Sequence, residues 1–140
     1  MSSLFLSLTV KTLKAEQETI TNQLTDISED TRVDSRYAAN AKASVDQEYD
    51  IQAEMIKSEM ELIDDKTCPE YEELLQELND FKEERDKKMQ RIEDEEIYKE
   101  EARDNEKVVL ESKLQAVNAD IETFKEGRDK AIEEEFSYAS

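Results

Sequence analysis

The sequence predicts an all-α fold: a long antiparallel two-helix coiled-coil hairpin with its turn near residues 64–68. Three observations carry that expectation. The composition suits long helices, one turn signal lies near the middle of the chain, and apolar residues recur every three to four positions on either side of it. The chain has 140 residues, of which 41 % are charged and 6 % aromatic, with one Gly, one Pro and no Trp. Sheet proteins need turn residues and β-branched runs, whereas a charge-rich, Gly-poor chain with helical periodicity suits long helices. High net charge with low hydrophobicity also fits disorder, but the apolar residues here are patterned.

The turn signal is Thr67-Cys68-Pro69-Glu70. Thr67 can serve as N-cap and Glu70 can reach back to its N–H, which is a capping box. Pro69 then falls at N2, where its missing N–H costs nothing and its fixed φ suits a first turn. Just upstream, Asp64 and Asp65 oppose the dipole of a helix C-terminus. One helix is therefore expected to end near Ile63 and another to begin near Cys68, and so short a link brings the second back antiparallel to the first.

The first helix carries a 4-3-4-3 spacing at Leu13, Gln17, Ile20, Leu24, Ile27 and Thr31. It continues through Asp34, Ala38, Ala41 and Val45, then drifts to Tyr49, Gln52, Ile56 and Ile63. The second carries Leu74, Leu78, Phe81, Arg85, Lys88 and Ile92. It resumes out of phase at Leu110, Leu114, Val117, Ile121, Phe124, Arg128 and Ala131. These are coiled-coil seams, and the phase change reads as a stutter. Two stretches, 28–36 and 93–107, are polar and open to three readings: solvated helix, bend or break. Gly127 weakens the second helix by about 1 kcal/mol relative to Ala, either as a tolerated defect or to allow a close helix approach.

Folding the chain about residue 67 predicts that facing residues have numbers summing to about 134. Leu24 then faces Leu110, Ile20 faces Leu114, Leu13 faces Ile121 and Val10 faces Phe124. The polar stretches also fall opposite each other. The whole chain reads as a single hairpin domain, residues 1–140. Its paired terminal zone, 1–27 with 108–140, is apolar, with 11 acids and 6 bases. Its arm, 28–107, is acidic, with 27 acids and 13 bases.

The terminal zone is richer in apolar residues than one seam requires. Leu4, Phe5, Leu6, Leu8 and Val10 run almost without interruption, and Ile132, Phe136 and Tyr138 occupy the matching tail. A helix apolar on several faces expects to be surrounded, so neighbouring copies are expected to cover it. The expected self-assembly interface is Leu4, Phe5, Leu6, Leu8, Val10, Leu13, Ile20, Leu24, Leu110, Leu114, Val117, Ile121, Phe124, Ile132 and Phe136. Fraying of residues 1–8 is the plain alternative.

Composition also argues against several kinds of chemistry. No His is present, which removes the commonest general base. Cys68, the lone cysteine, forms no intrachain disulfide and has no evident base for nucleophilic work. A single Gly excludes a Gly-rich phosphate loop. The acidic run Glu93-Asp94-Glu95-Glu96 lacks the spacing and turn Gly of a calcium loop. No catalytic residue, metal or cofactor is expected. A net charge of −19 repels nucleic-acid phosphates and anionic lipids, and no apolar run approaches the ~20 residues of a membrane span. The first ten residues lack the basic start and cleavage site of a Sec signal.

These features predict a non-enzymatic structural protein, the subunit of a homopolymeric helical filament or tube. A soluble coiled-coil adaptor, stalk or chaperone of a secretion or phage assembly system is the alternative. The Ser-rich apolar start Met1 to Val10, the Pro69 turn and the paired terminal helices resemble the architecture of type III secretion needle and filament subunits and of the terminal helices of flagellins, although flagellin C-termini are not matched residue by residue; the ending EKVVLESKLQAVNADIETFKEGRDKAIEEEF is similar to a generic secreted coiled-coil tail. That resemblance implies coiled terminal helices in a filament core, a secretion apparatus as partner, and an extracellular or cell-surface location reached without a Sec signal. A cytoplasmic location is the alternative. Needle subunits are shorter than this chain, and no functional residue is carried over from the resemblance.

Overall fold

The computed structural model describes residues 2–139; Met1 and Ser140, the ends of the expected terminal zone, lie outside them. Two helices form the fold, α1 (Ser3–Glu61, 59 residues) and α2 (Pro69–Ala139, 71 residues). They pack against each other as the expected all-α hairpin. Both polar stretches, 28–36 and 93–107, are helical throughout. In the first, the Ser28 and Thr31 hydroxyls donate to the carbonyls of Leu24 and Ile27 at 3.3 and 2.8 Å, so these side chains do not draw the backbone into turns. In the second, Lys99 pairs with Glu95 one turn away at 3.2 Å. Extending an existing helix is also far easier than nucleating one.

The connection differs from expectation in one respect. α1 closes with a tight last turn, in which Leu62 and Ile63 donate to the Glu59 and Met60 carbonyls at 3.2 Å each. The Thr67–Glu70 capping box does not form. Thr67 instead gives its N–H and its hydroxyl to one Asp65 carboxylate oxygen, at 2.9 and 2.6 Å. A charged acceptor binds these donors more strongly than a neutral one, and Asp is well suited to capturing the backbone two residues on. Pro69 is therefore the first residue of α2 rather than the second, and the Cys68 carbonyl accepts the first helical bond, from Glu72 at 3.3 Å. The same two bonds, hydroxyl first and amide second, hold the Asp65 carboxyl below its ordinary range.

The contacts divide into two compact units, and both helices contribute to each. One pairs the stretch ending at Thr31 with the stretch starting at Ala102; the other is Arg32–Glu101. In the terminal unit, Ile20, Ile27, Leu110, Val117 and Ile121 form a buried cluster, with Leu13, Leu24 and Leu114 packed on it. Three of the expected facing pairs lie within that cluster.

The second unit has a thinner core of Ala38, Ala53 and Ile56. Its seam positions on α2 include Arg85 and Lys88, whose stems pack while their charges find partners. Arg85 lies over the Tyr49 ring, 4.4 Å from its centroid. Lys88 sits between Glu48 and Glu84 at 4.0 and 3.6 Å, and Lys42 reaches Glu93 and Glu96 at 3.8 and 3.6 Å. Exposed pairs of this kind add little stability individually; those of Lys42 with Glu93 and Glu96 and of Lys88 with Glu48 cross between α1 and α2.

Each unit keeps the expected register. Gln17 donates to Asn118 at 2.7 Å, Leu6 lies against Gly127, Lys42 meets Glu93 and Tyr49 meets Arg85. Each pair sums to within one of the expected constant. A Cβ built on Gly127 would meet the Leu6 Cδ1 at 3.8 Å, an ordinary contact. Gly127 is therefore a tolerated defect, not a requirement for close approach.

Candidate interaction surface

The fifteen residues expected at the assembly interface fall into two sets. Leu6, Val10, Ile20, Leu110, Val117 and Ile121 are buried between α1 and α2. Leu13, Leu24, Leu114 and Phe124 are half-buried. These ten close the hairpin's own seam and present little surface to another molecule. Leu4, Phe5, Leu8, Ile132 and Phe136 remain exposed, by 70, 54, 56, 48 and 75 %. Tyr138, outside the expected interface, is also exposed.

The exposed set has a definite arrangement. Leu4 follows Ser3, Ile132 follows buried Ala131, and Phe136 follows Glu135. In an antiparallel pair, side chains one residue after inward positions turn to the same flank of both helices. Leu4, Ile132 and Phe136 therefore share a flank. Phe5 precedes buried Leu6 and turns to the other flank, while Leu8, midway between Leu6 and Val10, points away from α2.

Two polar contacts that the sequence did not reveal hold this end in place. Ser2 caps α1, accepting the Phe5 N–H on its hydroxyl at 3.2 Å. Ser3 donates its N–H and its hydroxyl to the two carboxylate oxygens of Glu135, at 3.0 and 2.6 Å. A carboxylate there satisfies an orphan amide and meets the positive end of the α1 dipole. The Ser3 hydroxyl first, and its amide second, hold the Glu135 carboxyl below its ordinary range. The Ser-rich start was the available signal for the cap. Glu135 could not be singled out among so many acids.

Elsewhere, Val45, Tyr49, Phe81 and Arg85 help line a recess of about 30 Å³ in the second unit, on the scale of one water. Cys68 is a half-buried free thiol in the connection. Among the described residues, no group of three or more His, Cys, Asp or Glu is placed to hold a metal ion, and no helix is long and apolar enough to cross a membrane. Comparison with protein-family models, characterised proteins and solved structures returns no match for this chain.

Proposed function

We propose that the chain is a non-enzymatic structural protein that assembles with copies of itself into a helical filament or tube. The contact is made by the outward apolar side chains of the terminal unit. The observation that supports this reading is the exposure of Leu4, Phe5, Leu8, Ile132 and Phe136 beside a seam that is already closed. Burying one such side chain contributes about 1.5–3 kcal/mol, while association costs about 4–15 kcal/mol in lost freedom. Several of these side chains must therefore be covered together. Because they point to more than one flank, a copy can be touched on different sides at once, and contacts between unlike surfaces that do not close give an open polymer. An extracellular or cell-surface site reached through a secretion apparatus belongs to the same reading.

The net charge of −19 favours a second reading, because it opposes dense packing of identical chains. In that case the terminal surface docks on a different protein, and the chain is an adaptor, stalk or chaperone. Negative-stain electron microscopy and light scattering of the purified chain separate the two. Regular fibres are the expected result. A small species that stays small at high concentration and high salt overturns the polymer. Phe5→Asp with Phe136→Asp should abolish fibres and leave helical content unchanged; fibres that persist would show that assembly uses another surface.

A further inference from the structure

Charge divides the two flanks of the terminal unit. Lys11, Lys14 and Lys125 each directly follow an inward residue, Val10, Leu13 and Phe124. They therefore lie on the same flank as Leu4, Ile132 and Phe136. Up to Thr31, Lys11 and Lys14 are the only bases of α1, and both fall on this flank. Among the described residues, none of these three lysines is in an ion pair. Asp129, the acid set among them, is paired with Arg128 at 3.5 Å. Glu18 and Glu122 bound the patch on the side away from the free end. Over the same length the other flank carries Glu16 and Glu134 against Lys130. A chain with a net charge of −19 thus has one apolar patch rimmed by unpaired cations.

The counterpart of such a patch is an apolar surface rimmed by unpaired acids, and α2 carries one within the unit Arg32–Glu101. Asp94, Ile97, Tyr98 and Glu101 stand three and four residues apart on its outward face. Ile97 is exposed by 53 % and Tyr98 by 73 %. Residues 93–101 carry 6 acids and 1 base. Lys42 already engages Glu93 and Glu96, and Lys99 engages Glu95. Asp94 accepts from the neutral Gln90 amide at 2.9 Å, and among the described residues neither Asp94 nor Glu101 is in an ion pair.

We propose, resting on the assembly reading above, that this outward face of one copy docks on the lysine-rimmed flank of another. Ile97 and Tyr98 cover Leu4, Ile132 and Phe136, while Asp94 and Glu101 meet Lys11 and Lys14. Local charge identifies the occupant: two whole chains repel, but these two surfaces carry opposite sign. Complementary charge chiefly selects the partner surface and its register, and apolar burial holds the contact. Added salt relieves the repulsion between whole chains and leaves that burial in place. The two surfaces are unlike, so each copy offers one to the next and uses the other, the arrangement an open polymer needs.

The test mixes heavy-nitrogen-labelled and unlabelled full-length chains and treats them with a carbodiimide, which joins a lysine amine to a carboxylate. Mass spectrometry should find mixed-isotope links from Lys11 or Lys14 to Asp94 or Glu101. Lys11→Glu with Lys14→Glu should abolish assembly in light scattering at about 0.1 M salt, with helical content unchanged in circular dichroism. Adding Asp94→Lys and Glu101→Lys to the same chain should restore it. Assembly that survives the lysine reversals, or that stays lost after the acid reversals, overturns the proposal. Interchain links confined to other carboxylates overturn it as well. Fibres from the lysine-reversed chain would leave the filament reading standing while this contact falls. A natural chain that gives these links but stays small would support this contact and overturn the filament.

Discussion

The Arg85 guanidinium lies 4.4 Å from the centroid of the Tyr49 ring, joining α2 to α1 at a seam position where most coiled coils carry an aliphatic side chain. Asp86 accepts from the same guanidinium at 3.0 Å and, with Tyr49 and Asp46, favours its charged form. The seam thus accepts a cation because a π face and a carboxylate flank it. Arg85→Ala should lower stability, from the lost stem packing together with the cation–π contact. Arg85→Lys should recover only part, since an ammonium does not stack as a planar guanidinium does. A double-mutant cycle with Tyr49→Leu, read by thermal denaturation, isolates the pair; a coupling near zero would remove the contact from the account.

Gly127 is expected to be replaceable with profit to stability. Its φ is not positive, and an added Cβ meets only the end of Leu6 at 3.8 Å. Gly127→Ala should stabilise the hairpin by about 1 kcal/mol, through helix propensity and a less flexible unfolded chain. Urea denaturation measures this directly. A loss of stability would mean that α1 and α2 approach more closely there than the 3.8 Å contact allows.

The bond between Ser3 and Glu135 should make the terminal end acid-sensitive. The Glu135 carboxyl is held below its ordinary range, so the folded state favours its ionised form. A depressed carboxyl contributes stability that is present above its unfolded pKa and is lost as pH falls through the folded one. Hydrogen-exchange protection of the first turn of α1 should therefore be complete at neutral pH and decline in the acid range below the usual glutamate pKa. Glu135→Gln should weaken protection there at neutral pH and flatten its pH dependence. An unchanged profile in that variant would show that Glu135 does not hold the helix start.

Salt should promote assembly. At 0.1 M ionic strength charges are screened beyond about 10 Å, and at 1 M beyond about 3 Å, whereas burial of Leu4, Ile132 and Phe136 does not depend on screening. Light scattering across that range should show larger species as salt rises. Assembly that weakens with salt would mean that ion pairs rather than apolar side chains make the contact.

Much of the hairpin was legible because its causes are local or periodic. Pro69 marks a helix start, the 4-3 spacing marks the inward faces, and a short link forces reversal, so the pairing of Leu13 and Ile20 with Ile121 and Leu114 followed from counting. The cap at the turn was not legible in the same way. The sequence pointed to a capping box of Thr67 with Glu70, and only the folded connection showed Asp65 taking both of the Thr67 donors.

The sequence by itself determined that two long helices pair in one register, because periodicity and chain reversal leave few alternatives. Only the tertiary structure decided how the apolar terminal residues divide. Leu6 and Val10 are buried by α2, while Leu4, Phe5, Leu8 and Phe136 face outward, because a helix has one side for each partner and this hairpin supplies only one partner. The same limit leaves Val33, Tyr37, Ile51 and Met55 of α1 uncovered. A list of apolar residues does not distinguish the side already packed from the sides still exposed.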